Sequence, residues 1–528
     1  MTSSVACATS SFTYPPVFGT QFVDLTASPV TNFSVTTAQG DSHFAKNLTS
    51  LNFCNVSITY THPGYNDITN VQIWLPEHWN GRFLGTGGGG FASGMFDPSL
   101  GHGISQGFAA ASTDGAHSID PASAASWALL SPGNVDLVTL QDFASTSLND
   151  MTEMGKAITE TFYQTPPSYS YWSGCSGGGR QGVMMAQRYP GGYDGILAAA
   201  PAINWASFLV AEYDPQFIMN LLGQYPPPCE LDAITAAAIK ECDALDGIAD
   251  GIVSLPHLCN FDPAILVGQP FDCDGTSATI TQAGATIADA LWTGAKFANG
   301  SDEWFGLNYD APLTGLASTV CTEGKSCTGI PCPIASDWIQ YFVVKDATFD
   351  LRKLTRAEFD DVLHMSRSQY GSVIDTSDPS LERFRDLGGK MITWHGLADQ
   401  LIHPGGTSSY YDRVRDRDPS ITSFYRHFEA PGIYHCSDGP GAFPGEALQS
   451  LIAWVEDGIA PTTLNGTSLP STDGTVLHRP ICMYPTVQVY LGGDPTVESS
   501  FACVEAQTHL MSEGETGYQG QQQFQVQF

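Results

Sequence analysis

Alternating apolar and polar residues mark the amino-terminal part of the chain. Residues 55–62 and 67–75 follow the two-residue period of a half-buried β-strand, and residues 82–85 form a short apolar segment before a run of glycines. Residues 108–114 predict a further strand, and residues 135–160 predict a helix. The pattern therefore predicts a sheet first and helical segments after it.

A segment with strand-like aromatic spacing meets a helix-compatible segment at a glycine-rich turn. Residues 169–173 precede the turn and residues 181–189 follow it, and Gly174-Cys175-Ser176-Gly177-Gly178 lies between them. This motif fits G-x-S-x-G, in which a sharp strand-to-helix turn exposes a nucleophilic serine and leaves no room for side chains two positions away. We predict Ser176 as a nucleophile. The alternative is a glycine-rich loop in which Ser176 only caps the helix.

A base and an acid for this serine are predicted far along the chain. Residues 390–396 predict a buried strand, Asp399 follows it, and Gly432-Ile433-Tyr434-His435-Cys436 comes after a further apolar segment. The order Ser176, Asp399, His435 is that of an α/β-hydrolase triad. Because the serine and the histidine of a triad lie within hydrogen-bonding distance, Cys175 and Cys436 would be near enough to form a disulfide.

These motifs resemble the tannase and feruloyl esterase family, through the Cys-Ser pair, the Asp399 segment His-Gly-Leu-Ala-Asp-Gln and the His-Cys pair. The resemblance extends from about Cys7 to Cys503. It implies an α/β protein with an α/β-hydrolase fold and a large inserted lid domain. Residues 204–387 are richer in cysteine, proline and short helical patterns, so we assign them to the lid and residues 1–203 and 388–528 to the catalytic domain.

A run of four glycines, residues 87–90, follows the predicted strand at 82–85. In the hydrolase fold this loop supplies one N–H group of the oxyanion hole, and the residue after the nucleophile, here Gly177, supplies the other. The choice among Gly88, Gly89 and Gly90 stays open, with Gly89 as our assignment. The alternative is a flexible linker.

An acidic loop in the predicted lid carries Asp243, Asp246 and Asp250 among small residues. Closely spaced carboxylates repel each other unless they are solvated or bridged by a hard cation such as Ca²⁺. The family resemblance implies a structural calcium site formed by these three side chains and the carbonyls of Ile248 and Ile252. The alternative is a solvated acidic turn. No organic cofactor is implied.

The composition of the chain argues against some classes of binding partner. The chain has 54 acidic and 21 basic residues and a formal charge of −33, which argues against nucleic acid and anionic membranes as partners. No run of 18 apolar residues predicts a transmembrane helix. Residues 1–13 lack the apolar segment of a signal peptide, so we expect that a secretion signal has been removed.

Thirteen cysteines and five Asn-x-Ser/Thr sequons point to the secretory route, and the absence of C-x-x-C pairs gives no support for zinc. The predicted glycosylation sites are Asn32, Asn47, Asn55, Asn299 and Asn465. Spacing alone does not give the disulfide connectivity. The resemblance implies Cys7–Cys54, Cys175–Cys436, Cys229–Cys273, Cys242–Cys259 and Cys482–Cys503. Cys321 and Cys327 would close a small loop, which leaves Cys332 unpaired.

These features together predict a secreted, extracellular serine esterase that acts on small phenolic esters. Within the family, the Tyr225-Pro226-Pro227-Pro228-Cys229 segment and the Gly-Gly-Gly-Gly-Phe loop resemble tannin acyl hydrolases, so we expect galloyl esters as substrates. The alternatives are a feruloyl or chlorogenic acid esterase and a non-catalytic secreted binding protein on a hydrolase scaffold. A homodimer is an assembly that we allow for.

Overall fold

A computed structural model describes residues 4–273, 275–322 and 326–506. The described residues form the strands β1 (Gln21–Thr37), β2 (Lys46–Thr61), β3 (Thr69–Pro76), β4 (Arg82–Thr86), β5 (Ala109–Thr113), β6 (Leu129–Ser131), β7 (Asn134–Val135), β8 (Tyr169–Cys175), β9 (Gly195–Ala199), β10 (Pro270–Cys273), β11 (Thr276–Thr279), β12 (Thr319–Cys321), β13 (Cys327–Gly329), β14 (Lys390–Gly396), β15 (Tyr425–Ala430), β16 (Thr463–Thr467), β17 (His478–Met483), β18 (Thr486–Tyr490) and β19 (Phe501–Glu505).

Eleven of these strands form one sheet in the order β1-β2-β3-β5-β4-β8-β9-β14-β15-β17-β16. The six central strands from β5 to β15 are parallel, and the strands outside them on both sides pair antiparallel. The central strands are short and buried along nearly their whole length, as expected for parallel strands covered by helices on both faces. This is the α/β-hydrolase architecture that we expected.

The α-helices are α1 (Asp97–Ser105), α2 (Leu137–Gln141), α3 (Ser147–Tyr163), α4 (Gly177–Arg188), α5 (Trp205–Leu222), α6 (Pro228–Cys242), α7 (Gln282–Thr293), α8 (Pro333–Asp337), α9 (Arg356–Ile374), α10 (Glu382–Asp386), α11 (Pro404–Arg417) and α12 (Ala447–Asp457). Apolar residues of α3, α4 and α11 belong to a core on one face of the sheet. Those of α1 and α12 belong to a second core on the other face.

The helix predicted over residues 135–160 is present over residues 137–163, but a π-helical turn interrupts its α-helical geometry. The structure divides this segment into α2, a π-helical turn at Asp142–Thr146 and α3, which begins at Ser147. A π-turn inserts one extra residue per turn without changing the apolar character of the segment, so hydrophobic periodicity does not reveal it. Asp142, the first residue of the turn, is buried.

Residues 204–387 contain helices α5 to α10 and two small hairpins, β10–β11 and β12–β13. One apolar core packs α5 and α9 against the segment around Trp338 and also includes residues outside this range, such as Phe91 and Phe143. Another packs α6 against α7. No helix of the described residues is long and apolar enough to cross a membrane. The tail from residue 507, which we assigned to the catalytic domain, lies outside the described residues.

Six disulfides are present, with the pairing that we expected: Cys7–Cys54, Cys175–Cys436, Cys229–Cys273, Cys242–Cys259, Cys321–Cys327 and Cys482–Cys503. Cys332 has a free thiol. This number of disulfides is typical of proteins that mature in an oxidising compartment.

Candidate active site

Ser176 lies at the junction of β8 and α4, with φ 62° and ψ −123°. A serine seldom adopts this backbone conformation, which stores about 1–3 kcal/mol of strain. The turn stays compact because its flanking glycines have no side chains: a Cβ on Gly174 would lie 2.7 Å from the backbone of Gly178. The Ser176 N–H donates to the carbonyl of Ala199 at 3.0 Å, which ties the turn to the neighbouring strand.

His435 and Asp399 form a hydrogen-bonded pair. Asp399 follows β14 and is completely buried, and its Oδ2 lies 2.8 Å from Nδ1 of His435. The other oxygen, Oδ1, accepts hydrogen bonds from the N–H groups of Leu401 and Ile402, both at 2.9 Å. These bonds fix the carboxylate in the orientation that holds the imidazole.

A second histidine contacts the same carboxylate. Nε2 of His395 lies 3.1 Å from Oδ2 of Asp399, and its Nδ1 lies 2.8 Å from the Thr407 hydroxyl. Burial alone would raise the pKa of Asp399, but the charge and hydrogen bonds of His435 and His395 hold it well below its usual range. Asp399 therefore stays ionised. We did not identify His395 from the sequence, because it lies within the buried strand pattern.

The serine and the histidine share one cavity and are joined through their neighbours. Ser176 and His435 both line this cavity, and the Cys175–Cys436 disulfide connects the two turns that carry them. Sγ of Cys436 lies 3.6 Å from Nε2 of His435. The structure thus brings the three predicted triad residues together at one place.

The glycine loop after β4 packs directly against the serine turn. A Cβ on Gly177 would lie 3.0 Å from the carbonyl oxygen and 3.2 Å from the nitrogen of Gly90. The Gly87 N–H donates to Ser173 and the Gly88 N–H donates to the Gln181 side chain, so hydrogen bonds occupy both of them. Gly90 also lines the cavity with Ser176.

Apolar residues form most of the cavity wall. Trp205, Phe208 and Leu209 of α5 lie on one side, with Ile334 and Ile402 from other segments.

Besides Ser176 and His435, two side chains of the wall can form hydrogen bonds: the Glu212 carboxyl and the Cys332 thiol, whose Sγ lies 3.7 Å from Glu212 Oε2. Burial and then the negative charge of Asp399 raise the pKa of Glu212 well above its usual value. This shift favours the neutral carboxyl, which can both donate and accept a hydrogen bond.

Comparison with known proteins decides the family. The model of the tannase and feruloyl esterase family matches residues 54–504. The chain belongs to this family. It is a carboxylic ester hydrolase.

The esterase is similar to a probable feruloyl esterase of Arthroderma benhamiae, with 41% identity over 87% of this chain and 86% of that protein. A tannase of Aspergillus oryzae is 28% identical over 88% of this chain and 87% of the tannase chain. Among solved structures, tannin acyl hydrolase from Aspergillus niger matches with a TM-score of 0.84 and 29% identity, covering 94% of both chains. Feruloyl esterase B from Aspergillus oryzae matches with a TM-score of 0.77 and 27% identity, covering 92% of this chain and 97% of that one.

The acidic loop at residues 243–252 is held by its own hydrogen bonds. Asp243 accepts from the N–H groups of Asp250, Gly251 and Ile252 at 2.8–3.3 Å. The Oδ2 atom of Asp250 accepts from Arg479 at 2.6 Å.

Oδ2 of Asp246 is buried without a hydrogen-bond partner in the part of the chain that the structure describes. Burial, together with the negative charges of Asp250 and Asp243, raises the pKa of Asp246 to about 6. An unpartnered carboxylate oxygen beside two further acids fits a hard cation.

Four of the five sequon asparagines are exposed: Asn32, Asn47, Asn299 and Asn465. Asn55 differs, because it lies within β2 between two paired strands and its Oδ1 is shielded from solvent.

Proposed function

We propose that this esterase is secreted and hydrolyses esters of phenolic acids through an acyl-enzyme on Ser176. The observation that supports this best is the strained serine turn facing a cavity that His435 also lines, with Asp399 hydrogen-bonded behind the histidine. Nε2 of His435 would take the Ser176 proton as Oγ attacks the ester carbonyl. Asp399 would hold the Nδ1–H tautomer and stabilise the imidazolium. His435 would then protonate the leaving alcohol.

Deacylation would use the same residues in the second half of the reaction. Water would enter the place of the alcohol, and His435 would take its proton while the water oxygen attacks the acyl carbonyl. Collapse of the second tetrahedral intermediate would release the phenolic acid and return the proton to Ser176. No step needs an organic cofactor.

We assign the oxyanion hole to the N–H of Gly177 and one N–H of the glycine loop. Our sequence assignment is Gly89, and the packing of Gly90 against Gly177 makes Gly90 the stronger candidate. The Gly88 N–H is already bonded to Gln181, which removes it from the choice. Two preorganised backbone donors would stabilise the developing charge by several kcal/mol; one such donor accounts for about 2.7–4 kcal/mol.

For the acyl group, we propose that the aromatic ring lies against Trp205, Phe208 and Leu209, with a phenolic hydroxyl bonded to Glu212. The wall of this cavity offers one carboxyl and one thiol, and a buried hydroxyl without a partner costs about 1–3 kcal/mol. A hydroxycinnamoyl ring has fewer hydroxyls to satisfy than a galloyl ring with three. The relative with 41% identity, a probable feruloyl esterase, supports the same choice.

Galloyl esters, our expectation from the sequence, remain the second candidate. The TM-score of 0.84 with tannin acyl hydrolase supports them. Rates on methyl ferulate, chlorogenate, methyl gallate and a simple acetate ester decide between the two classes. A higher kcat/KM on methyl gallate than on methyl ferulate would reverse our order, and activity on the acetate alone would refute a phenolic substrate.

Replacing Glu212 should affect only substrates with a phenolic hydroxyl. We expect Glu212→Leu to lower kcat/KM on methyl p-coumarate by roughly 10–100-fold, because a lost hydrogen bond to a buried group costs about 1–3 kcal/mol. Methyl cinnamate, which lacks the hydroxyl, is the matched control substrate and should change little. Glu212→Gln should retain most of the activity on both. An equal loss on both esters would show that Glu212 supports the cavity rather than the hydroxyl.

We also propose that the lid loop binds structural Ca²⁺ through Asp243, Asp246 and Asp250 and the carbonyls of Ile248 and Ile252. The ion would neutralise the buried acids and fix the loop that the Cys242–Cys259 disulfide closes.

Calcium removal should therefore destabilise the enzyme. A ligand at about 100 times its Kd stabilises the folded state by about 2.7 kcal/mol, so chelation and Asp246→Asn should each lower the melting temperature, and added Ca²⁺ should not rescue the variant. Asp24→Asn, at an exposed acid on β1, is the control and should respond to Ca²⁺ like the parent. If neither chelator nor added Ca²⁺ changes the melting temperature of the parent, the loop is only an acidic turn.

A further inference from the structure

A buried cluster of one histidine and three aspartates lies outside the catalytic cavity. His62 follows β2, Asp67 lies in the turn before β3, Asp142 begins the π-helical turn, and Asp150 lies in α3. Each is at most 8% exposed. None of them lines the cavity of Ser176 and His435. The triad and the lid loop therefore do not account for the cluster.

The side chains converge on the His62 imidazole. Its Nδ1 lies 2.5 Å from Asp67 Oδ2 and 3.9 Å from Asp142 Oδ1, and its Nε2 lies 3.0 Å from Asp150 Oδ2. His62, Asp67 and Asp142 each offer one atom that could bind a metal, and these three atoms lie within 4.8 Å of one another. The Tyr60 hydroxyl donates to Asp150 Oδ2 at 3.1 Å, which holds that carboxylate behind the histidine.

Two observations indicate that this cluster can accept a cation. Oδ2 of Asp142, on a residue that is 2% exposed, has no hydrogen-bond partner among the described residues. In the same part of the chain, His62 is the one basic group that forms an ion pair with these carboxylates. Burying a carboxylate without a partner is costly.

We propose that His62, Asp67 and Asp142 bind a divalent transition-metal ion of the zinc or manganese class. One imidazole nitrogen with carboxylate oxygens suits these ions, whereas Ca²⁺ takes oxygen ligands. His62 would bind through Nδ1 and donate its Nε2–H to Asp150, the carboxylate–histidine–metal arrangement that fixes the tautomer of metal-binding histidines.

The metal would join the turn between β2 and β3 to the π-helical turn before α3. Phe143 and Ala144 of this turn accept hydrogen bonds from the buried Arg180 guanidinium at 3.2 and 3.0 Å, and Arg180 belongs to the helix that begins after Ser176. We therefore expect the ion to stabilise the catalytic domain.

Metal analysis of three proteins tests the proposal: the parent, Asp142→Asn and Asp246→Asn. Each is freed of metal with a chelator, dialysed against Zn²⁺ or Mn²⁺ in the presence of Ca²⁺, desalted and analysed for metal content. The parent and Asp246→Asn should retain about one transition-metal ion per chain, and Asp142→Asn should bind it at least about tenfold more weakly. Asp246→Asn serves as the control that separates this site from the lid loop.

Melting curves give an independent readout. Zn²⁺ or Mn²⁺ should raise the melting temperature of the metal-free parent and of Asp246→Asn, and should leave Asp142→Asn unchanged. If the parent retains no more Zn²⁺ or Mn²⁺ than Asp142→Asn, the proposal is wrong and the cluster is a protonated hydrogen-bond network. A higher melting temperature of Asp142→Asn than of the parent in Zn²⁺ would lead to the same conclusion. If Asp142→Asn does not fold, the absorption spectrum of Co²⁺ added to the metal-free parent tests the proposal. Ligation by histidine and carboxylates should change the spectrum of the free ion, and an unchanged spectrum would contradict the proposal.

Discussion

Ser176→Ala should abolish ester hydrolysis while the protein stays folded. The substitution removes the attacking oxygen, and loss of a triad nucleophile lowers kcat by about 10⁶-fold in a serine hydrolase whose oxyanion hole remains intact. The side chain is not needed for the turn, because its close packing depends on Gly174 and Gly178. Steady-state rates on the preferred phenolic ester, together with melting curves, measure both effects.

Two further variants sharpen this test. Ser176→Gly should be equally inactive but more stable than Ser176→Ala, since glycine adopts φ 62° without the strain of a side chain. Ser437→Ala is the control, because Ser437 lies beside the disulfide-bonded Cys436 and its hydroxyl bonds only to Asp438 among the described residues. A folded Ser176→Ala protein with nearly parental activity would contradict the assigned nucleophile. Failure of a fluorophosphonate to label the parent would favour the non-catalytic scaffold instead.

The catalytic residues were predictable because the rules that place them are local. A serine between glycines at a strand–helix junction needs its particular turn, whatever the rest of the chain does. The hydrolase topology then requires the acid and the base to follow later strands, as Asp399 follows β14 and His435 follows β15. Residue order alone therefore indicates which side chains meet.

The acyl pocket was not predictable in this way. Glu212 lies in the apolar helix α5, where the pattern indicates only burial, and its contact with Cys332 depends on how two lid segments pack. His395 is similarly hidden within a buried strand. For the His62 cluster, the missing information was the π-turn, in which Asp142 is the first residue and is buried, and which apolar periodicity does not show.

The disulfide between Cys175 and Cys436 should matter more for catalysis than for folding. It joins residues 261 positions apart, with a Cα–Cα distance of 5.9 Å, and its cysteines directly adjoin Ser176 and His435. Without it, the serine turn and the histidine turn would be held together only by packing. A displacement of about 1 Å between reacting groups costs about 100-fold in rate. We therefore expect Cys175→Ala/Cys436→Ala to fold and to lose roughly that factor in kcat, with a smaller change in KM.

A second disulfide separates this positioning effect from a general loss of stability. Cys321–Cys327 closes a loop with a sequence separation of 6 in the lid, and neither cysteine lines the catalytic cavity. Loop-closure entropy assigns about 2 kcal/mol to it and about 5.6 kcal/mol to Cys175–Cys436. Both double variants should have a lower melting temperature than the parent. When kcat is measured well below these melting temperatures, only the variant without Cys175 and Cys436 should have a lower kcat than the parent. An equal fall in kcat in both would mean that the effect is loss of stability, and an unchanged kcat without Cys175 and Cys436 would mean that packing alone holds the triad.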